Sequence, residues 1–202
     1  MSEALTFYTN PQSRGRIARW MLEEVDAPYE TEVLEYGTTM KAPAYLAINP
    51  MGKVPAIKHG DVVVTECAAI CAYLADAFPS AGLAPAASDR GAYYRWLFFV
   101  AGPLESAVVN SSLGFVVPPE SEALAGWGNL QNALGALETG LAGTPYLTGD
   151  TFTAADVYVG AQLNWGLQFR TIEKRDVFVE YAERVTGRDA YRRANEIDGP
   201  MG

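Results

Sequence analysis

The chain has 202 residues, of which 15 are basic and 24 acidic, and its formal net charge is −9. A general nucleic-acid binder needs a positive surface, so this charge disfavours that class. Hydrophobic residues make up 49% of the chain and charged residues 19%, which is too apolar for disorder and too interrupted for a membrane span. The length allows one large domain or two small ones.

Histidine and cysteine are both scarce. His59 is the only histidine, so multi-histidine metal sites are excluded and any histidine-dependent triad depends on one residue. Cys67 and Cys71 lie four positions apart and form no C-x-x-C redox pair. The N-terminal residues have neither a basic region nor a long apolar run, so we expect no signal peptide and a cytoplasmic protein.

The first eighty residues change their hydrophobic period several times. The pattern predicts strands and helices in a mixed order: strand 4–8, helix 14–25, strand 29–34, an irregular or short helical stretch 36–51, a hairpin of 54–58 and 62–65, and helix 66–78. A crossover helix between the first two strands implies a parallel pair, whereas the hairpin adds antiparallel strands. This half is therefore expected to be a small mixed α/β domain.

After residue 78 the strand signal fades. The segment that begins at Pro79 is rich in Pro, Gly and Ala, which is typical of a domain boundary. Beyond it, helical periodicity predicts segments over 93–104 (with a kink or break at Gly102-Pro103), 121–141, 153–169, 177–185 and a short helix from Arg188. We therefore predict an α/β domain over 1–79 and an all-α domain over 88–202.

Two junctions in the first half are candidates for ligand binding. A proline at the start of a strand, as in Val54-Pro55, belongs at an edge or bend. It is either an ordinary trans proline or a cis one that turns the Val54 backbone outward towards a ligand. At Thr65-Glu66-Cys67, a strand meets a helix start, which favours an anion such as a carboxylate. Glu66 is suited to hold an ammonium group, and the alternative is an ordinary helix start.

Two further turns lead into helices. A hydroxyl or amide in the turn over residues 9–16 is able to donate to a thiolate and to lower a thiol pKa from about 8.5. The alternative is that Ser13 simply caps the helix. In the second half, Thr153-Ala-Ala-Asp156 is a capping-box pattern, so we assign Asp156 a structural role and no catalytic one.

Taken together, these features resemble the cytosolic glutathione transferase family, and the stretch through Asp76 is similar to its bacterial members. The motifs match in order along nearly the whole chain: the turn before the first helix, Asn49-Pro-Met-Gly-Lys-Val-Pro55, Thr65-Glu66-Cys67 and Phe152-Thr-Ala-Ala-Asp156. The resemblance implies a thioredoxin-like domain that binds the cosubstrate glutathione and an all-helical domain that contributes the acceptor-substrate site. It also implies a homodimer.

The resemblance also implies roles for individual residues. Val54, before a cis Pro55, pairs with the cysteinyl backbone of glutathione. Glu66 and Cys67 hold the γ-glutamyl end, although Cys67 departs from the serine of the family pattern. Positive charge towards the peptide is expected from Lys53, Lys41 and Arg14, with Arg16 as a further electrostatic supplement.

The residue that activates the thiol is left open among three. Family members use Tyr, Ser or Cys near the end of the first strand, and no cysteine lies there in this chain. Ser13 is the first choice and Asn10 the second. Tyr8 is the third, because a strand residue at that position faces either the site or the core. The acceptor wall is expected to include Tyr94, Phe98 and Phe115.

We therefore predict a glutathione transferase that stabilises the glutathione thiolate for attack on a small hydrophobic electrophile. Two alternatives stay open: a glutathione-dependent peroxide or disulfide reductase on the same fold, and a non-catalytic member that binds glutathione or a protein. None of these readings needs a metal, nucleic acid or a membrane.

Overall fold

The sheet contains the four strands that the sequence predicts. They are β1 (Leu5–Thr9), β2 (Glu30–Val33), β3 (Ala56–His59) and β4 (Val62–Thr65), in the order β2-β1-β3-β4. β1 is parallel to β2, whereas β3 is antiparallel to both β1 and β4. The parallel pair follows from the crossover helix and the antiparallel pair from the hairpin, as expected.

The computed structural model describes residues 3–201. Its helices are α1 (Gly15–Val25), α2 (Pro43–Leu46), α3 (Cys67–Ala77), α4 (Gly91–Phe99), α5 (Glu105–Ser112), α6 (Leu130–Leu141), α7 (Ala154–Gln168), α8 (Asp176–Thr186) and α9 (Asp189–Asp198). The chain up to Leu83 and the residues from Arg188 onward form one unit, and Ala84–Gly187 form the other. The domain limits expected from the sequence, 1–79 and 88–202, differ from these units because α9 joins the first one.

In the first unit, successive residues of β1 contact different helices. Phe7 is fully buried, and the guanidinium of Arg19 in α1 lies 4.9 Å from the centre of its ring. Tyr8 points to the other face, where its ring centroid lies 5.5 Å from that of Tyr45 in α2. Strand alternation therefore places α1 and α2 on opposite faces of the sheet.

α9 packs along α1 within this unit. Trp20 and Tyr191 meet edge to face with centroids 4.8 Å apart. Arg19 Nε donates to Asp198 Oδ1 at 3.1 Å, and both side chains are almost completely buried. Burial raises the pKa of the Asp198 carboxyl, while the two nearby arginines oppose that shift.

The second unit is helical, as predicted, with two local differences. α4 continues into α5 through a π-helical turn, Val100–Leu104, which contains Pro103. A wider turn accommodates a residue that has no N–H to donate, so the helix is not broken there. The helix expected over 121–141 begins only at Leu130, because the Asn129 side chain caps it by accepting from the Asn132 N–H at 2.9 Å.

The capping box at the start of α7 is confirmed. Asp156 Oδ2 accepts from the Thr153 N–H at 2.8 Å and from the Thr153 hydroxyl at 2.9 Å. Its Oδ1 accepts from the Leu147 N–H at 2.9 Å and from the Tyr181 hydroxyl at 2.7 Å. Burial raises the pKa of the Asp156 carboxyl, and these four hydrogen bonds oppose the rise.

Two negative findings concern the described residues only. No helix between residues 3 and 201 combines the length and apolar character that a bilayer crossing requires. The same residues contain no group of three or more His, Cys, Asp or Glu side chains placed to hold a metal ion.

Candidate functional site

The sheet register brings the three candidate segments of the first half to one edge. Tyr8 pairs with Ala56, and Ala56 pairs with Thr65. The next position along each strand places Thr9 beside Pro55 and Pro55 beside Glu66. The turn after β1, the Val54-Pro55 segment before β3 and the start of α3 after β4 are therefore neighbours.

The segment before β3 has the cis peptide bond that the resemblance implies. The Val54–Pro55 peptide bond is cis. Val54 is half-buried, and no backbone hydrogen bond to it forms within residues 3–201. Its N–H and carbonyl are consequently able to pair with the main chain of an extended ligand.

The loop that leads to Val54 is held from behind. The Lys53 carbonyl accepts from the Tyr45 hydroxyl at 2.6 Å and from Asn49 Nδ2 at 2.8 Å. Burial, the larger cause, raises the pKa of Tyr45 to about 12, so this donor keeps its proton well above neutral pH. The Asn-Pro pair at 49–50 signals such a turn in the sequence.

Lys41 and Lys53, both expected to bind glutathione, have different environments. Lys53 is exposed. Lys41 Nζ donates to the Met51 carbonyl at 3.0 Å and to the Gly52 carbonyl at 2.8 Å. Gly52 has φ +57°, and a Cβ there would lie 2.9 Å from Lys41 Nζ, so the glycine is required for this contact. Lys41 thus fastens the loop, while Lys53 extends from it.

The start of α3 is open. Glu66 is exposed and has φ 69° and ψ 126°, and its side chain makes no capping hydrogen bond to the helix. The first intrahelical bond runs from the Ile70 N–H to the Glu66 carbonyl at 2.9 Å. Unsatisfied N–H groups and the positive end of the helix dipole favour an anion here, and a non-glycine residue at positive φ is a recurrent feature of ligand sites.

Cys67 links this helix start to the turn after β1. It is 8% exposed, and its thiol donates to the Arg14 carbonyl, with sulfur and oxygen 3.7 Å apart. Cys71, one turn further along α3, is fully buried, and burial raises its pKa well above the usual value. Cys71 is therefore an inert core thiol.

The Ser13 hydroxyl is half-buried and already bonded on both sides. It donates to the Asn10 carbonyl at 2.6 Å and accepts from the Gly15 N–H at 2.9 Å. Asn10 is buried, and its amide donates to the Leu34 carbonyl at 2.8 Å while its oxygen accepts from the Gln12 N–H at 2.9 Å. Both predicted donors therefore shape the turn through their own hydrogen bonds.

Tyr8 and Val54 both pack against a cluster formed by Leu34, Met40, Tyr45 and Ala56. Burial and, to a lesser extent, the nearby Glu32 carboxylate raise the pKa of Tyr8. The phenol is thus protonated at neutral pH, but its ring lies on the α2 face of the sheet.

The residues around the turn include contacts that sequence reasoning missed. Thr9 is fully buried, and its hydroxyl has no hydrogen-bond partner among the described residues. A Cβ at Gly15 would lie 2.0 Å from this hydroxyl, so a glycine is needed where α1 begins. Arg16, expected to add positive charge, is buried with its guanidinium bonded to backbone carbonyls.

The predicted acceptor residues lie in the second unit. Tyr94 and Phe98 are one turn apart on α4 and are 43% and 70% exposed. Phe115 is 65% exposed and lines a cavity of about 540 Å³ together with Trp127. Among the described residues, neither Tyr94 nor Phe98 lines that cavity, so the structure does not group the three side chains in one pocket.

A thioredoxin-like unit with a cis-proline edge, combined with a separate helical unit, defines the class of protein. The family description "Glutathione S-transferase, N-terminal domain" matches residues 14–77, and "Glutathione S-transferase, C-terminal domain" matches residues 85–170. A glutathione transferase structure from Methylococcus capsulatus is 30% identical, with a TM-score of 0.80 over 97% of this chain and 99% of that one. The chain belongs to the glutathione S-transferase family.

Other relatives extend this comparison. A glutathione S-transferase of Xanthomonas campestris is 29% identical over 188 residues, which is 87% of this chain and 91% of that protein. A sphingomonad glutathione S-transferase complexed with glutathione is 28% identical, with a TM-score of 0.76 over 96% of this chain and 98% of that one. Elongation factor 1-gamma of Prunus avium is 34% identical over 138 residues, but the match spans 65% of this chain and only 32% of that protein.

Proposed function

We propose that the chain is a glutathione transferase whose site lies where β1, β3 and β4 meet the starts of α1 and α3. The observation that supports the proposal is the register, which brings three chain segments to one edge of the sheet: the one after β1, the one before β3 and the one after β4. A tripeptide laid along this edge finds backbone partners at Val54. Its γ-glutamyl carboxylate finds the start of α3, and its ammonium group finds the Glu66 carboxylate.

The proposed reaction uses the thiolate of glutathione as the nucleophile. The Ser13 hydroxyl gives up its bond to the Asn10 carbonyl and donates to the sulfur, which favours the thiolate. The thiol proton leaves to solvent, the sulfur forms a bond to the electrophilic carbon, and the leaving group departs with its electron pair. The protein supplies position and hydrogen bonds, which suits a chain with one histidine.

Ser13→Ala tests the activating residue. We expect the pKa of the bound glutathione thiol to rise by about two pH units, at about 1.36 kcal/mol each, and kcat/KM for a chloronitrobenzene acceptor to fall about a hundredfold. The absorbance of the thiolate against pH measures the pKa. Ser80→Ala, at an exposed serine of the same unit, is the matched control and leaves both quantities unchanged. Full activity in the Ser13 variant would reject Ser13 and direct the test to Asn10 and then Tyr8.

A non-catalytic binding module is the second candidate. Two observations favour it: the Ser13 hydroxyl is committed to the Asn10 carbonyl, and the chain is similar to part of elongation factor 1-gamma. Assays with a chloronitrobenzene, a hydroperoxide and a glutathione mixed disulfide separate the candidates. Turnover of the first acceptor alone supports the transferase, and turnover of the others alone supports a peroxide or disulfide reductase. Glutathione binding without turnover supports the module.

The remaining proposals concern the localisation, acceptor substrate and oligomeric state of the enzyme. We propose that it acts in the cytoplasm on a small hydrophobic electrophile, with detoxification as its role, and that it forms a homodimer. The acceptor contacts are assigned to Tyr94, Phe98 and Phe115, each of which is exposed. Sedimentation equilibrium tests the dimer, since a mass near that of one chain, 21.8 kDa, at micromolar concentration would contradict it.

A further inference from the structure

Arg16 joins the Ser13 turn to the C-terminal segment of the chain. It is the second residue of α1 and only 7% exposed. Its Nε donates to the Pro11 carbonyl at 2.6 Å, and its Nη1 donates to Asn195 Oδ1 at 3.1 Å. Its Nη2 donates to two carbonyls at the end of α9, those of Asp198 and Gly199.

The far end of this connection is firmly anchored. α9 is fixed to α1 by the Trp20–Tyr191 ring contact and by the buried Arg19–Asp198 ion pair. Gln12 adds a second link from the turn, because its side-chain amide donates to the Pro200 carbonyl at 3.2 Å. The C-terminal segment is therefore a fixed support to which the turn is attached.

The contacts of Arg16 depend on the shape of its guanidinium group as well as on its positive charge. Each Arg16 acceptor named above is a neutral carbonyl or amide oxygen, and three different nitrogens serve them. A planar guanidinium spans such a set, whereas the ammonium of a lysine carries the same charge without the fork. Pro11 lies two residues before Ser13, so the bond to its carbonyl limits the conformations of the turn.

We propose that Arg16 is a positioning residue, and that through it residues 195–199 hold the Ser13 turn in the geometry that stabilises the glutathione thiolate. The role in catalysis rests on the proposed function. The attachment of the turn to the C-terminal segment consists of contacts within the protein and is testable without glutathione.

The experiment compares Arg16→Lys, Asn195→Ala and a matched control in the full-length protein. The control is Arg193→Ala, which also removes contacts between α9 and α1, because Arg193 donates to the Glu23 carboxylate at 3.1 Å and to the Glu23 carbonyl at 2.9 Å. Three quantities are measured: hydrogen–deuterium exchange of the Ser13 and Gly15 amides, the pKa of the bound glutathione thiol, and the dissociation constant of S-methylglutathione, which has no thiol to ionise.

We expect both Arg16→Lys and Asn195→Ala to speed amide exchange in the turn. Arg16→Lys raises the thiol pKa by about one unit and lowers kcat/KM about tenfold at neutral pH, while S-methylglutathione binding stays within about twofold. Arg193→Ala changes neither the exchange nor the thiol pKa, even where it lowers the melting temperature. Wild-type values in Arg16→Lys, or equal effects in Arg193→Ala, would overturn the proposal. If the wild-type protein does not bind glutathione, the proposed function fails, and the exchange comparison still decides whether Arg16 holds the turn.

Discussion

Two helix starts in this molecule are built in opposite ways. At α7, Thr153 and Asp156 are 1% and 0% exposed, and every oxygen of the Asp156 carboxylate accepts hydrogen bonds from the protein itself. At α3, the exposed Glu66 side chain makes no capping hydrogen bond, and the residue has a positive φ. A helix start that satisfies its own N–H groups supports the fold, whereas one that leaves them open and strains its backbone is available to a ligand.

The largest effect is expected from Asp156→Asn at the closed start. Each carboxylate oxygen accepts one backbone N–H, from Leu147 or from Thr153. An asparagine therefore sets its NH₂ against one of these donors, whichever way the amide is turned. We expect the free energy of unfolding to fall by about 2–3 kcal/mol, measured by urea denaturation.

Asp150→Asn is the control for that prediction. Asp150 lies in the same loop and is exposed, so the same change there is expected to alter the free energy of unfolding by less than about 0.5 kcal/mol. Equal stability losses in the two variants would show that the start of α7 is not the closed structure described above.

Glu66→Gly tests the open start of α3. We expect a change in the free energy of unfolding that is smaller than for Asp156→Asn and opposite in sign. Glycine adopts φ 69° without a Cβ penalty, so we expect the protein to gain about 1 kcal/mol of stability. At the same time, the loss of the carboxylate raises KM for glutathione about tenfold, which corresponds to about 1.4 kcal/mol. Urea denaturation and steady-state kinetics measure the two quantities.

Glu66→Gln separates the backbone from the charge. It retains the Cβ and the strained φ but removes the negative charge, so we expect the same rise in KM without the gain in stability. A Glu66→Gly protein that is less stable than the wild type would mean that this backbone conformation carries no strain, and the contrast between the two helix starts would lose half its basis.

The smallest effect is expected at the loop before β3, where the Tyr45 hydroxyl donates to the Lys53 carbonyl. Its pKa of about 12 lies above the usual 10, so its contribution to stability is fully present below pH 10 and is lost as the pH rises through 12. We expect the free energy of unfolding to fall less steeply between pH 10 and 12 in Tyr45→Phe than in the wild type. Tyr29, whose pKa burial also raises to about 12, contributes to the slope that remains, together with Tyr8, Cys71 and Tyr181, whose pKa values burial raises too. Identical slopes in the variant and the wild type would contradict the prediction.

Local patterns predicted much of the fold. The period-2 and helical stretches placed all four strands and most helices within a few residues, because apolar spacing reports which face of an element is buried. The Thr153–Asp156 box was predictable for the same reason, since donor and acceptor lie within one helical turn. The helix expected from residue 121 was wrong because the Asn129 cap sets its start at Leu130.

The site was only partly predictable. The resemblance proposed Val54-Pro55 and Glu66 as site candidates, and the register brings Pro55 and Glu66 to neighbouring positions. The sequence did not reveal that the Lys41 ammonium fastens a loop or that the Ser13 hydroxyl is bonded to Asn10. Such side chains have several acceptors within reach, and only the folded backbone decides which one is nearest.

Composition and local spacing were enough to establish a charge of −9 and a single histidine, and to predict a mixed α/β half followed by an all-helical half. Each of these follows from composition or from spacing within a dozen residues. The packing of α9 against α1 and the bond from Arg16 to the Asn195 side chain are visible in the folded chain alone. That pairing spans most of the chain, and no local periodicity records which distant surface a helix will cover. The first unit therefore consists of two stretches of the chain, one up to Leu83 and one from Arg188 onward. The sequence predicted a single division near residue 80.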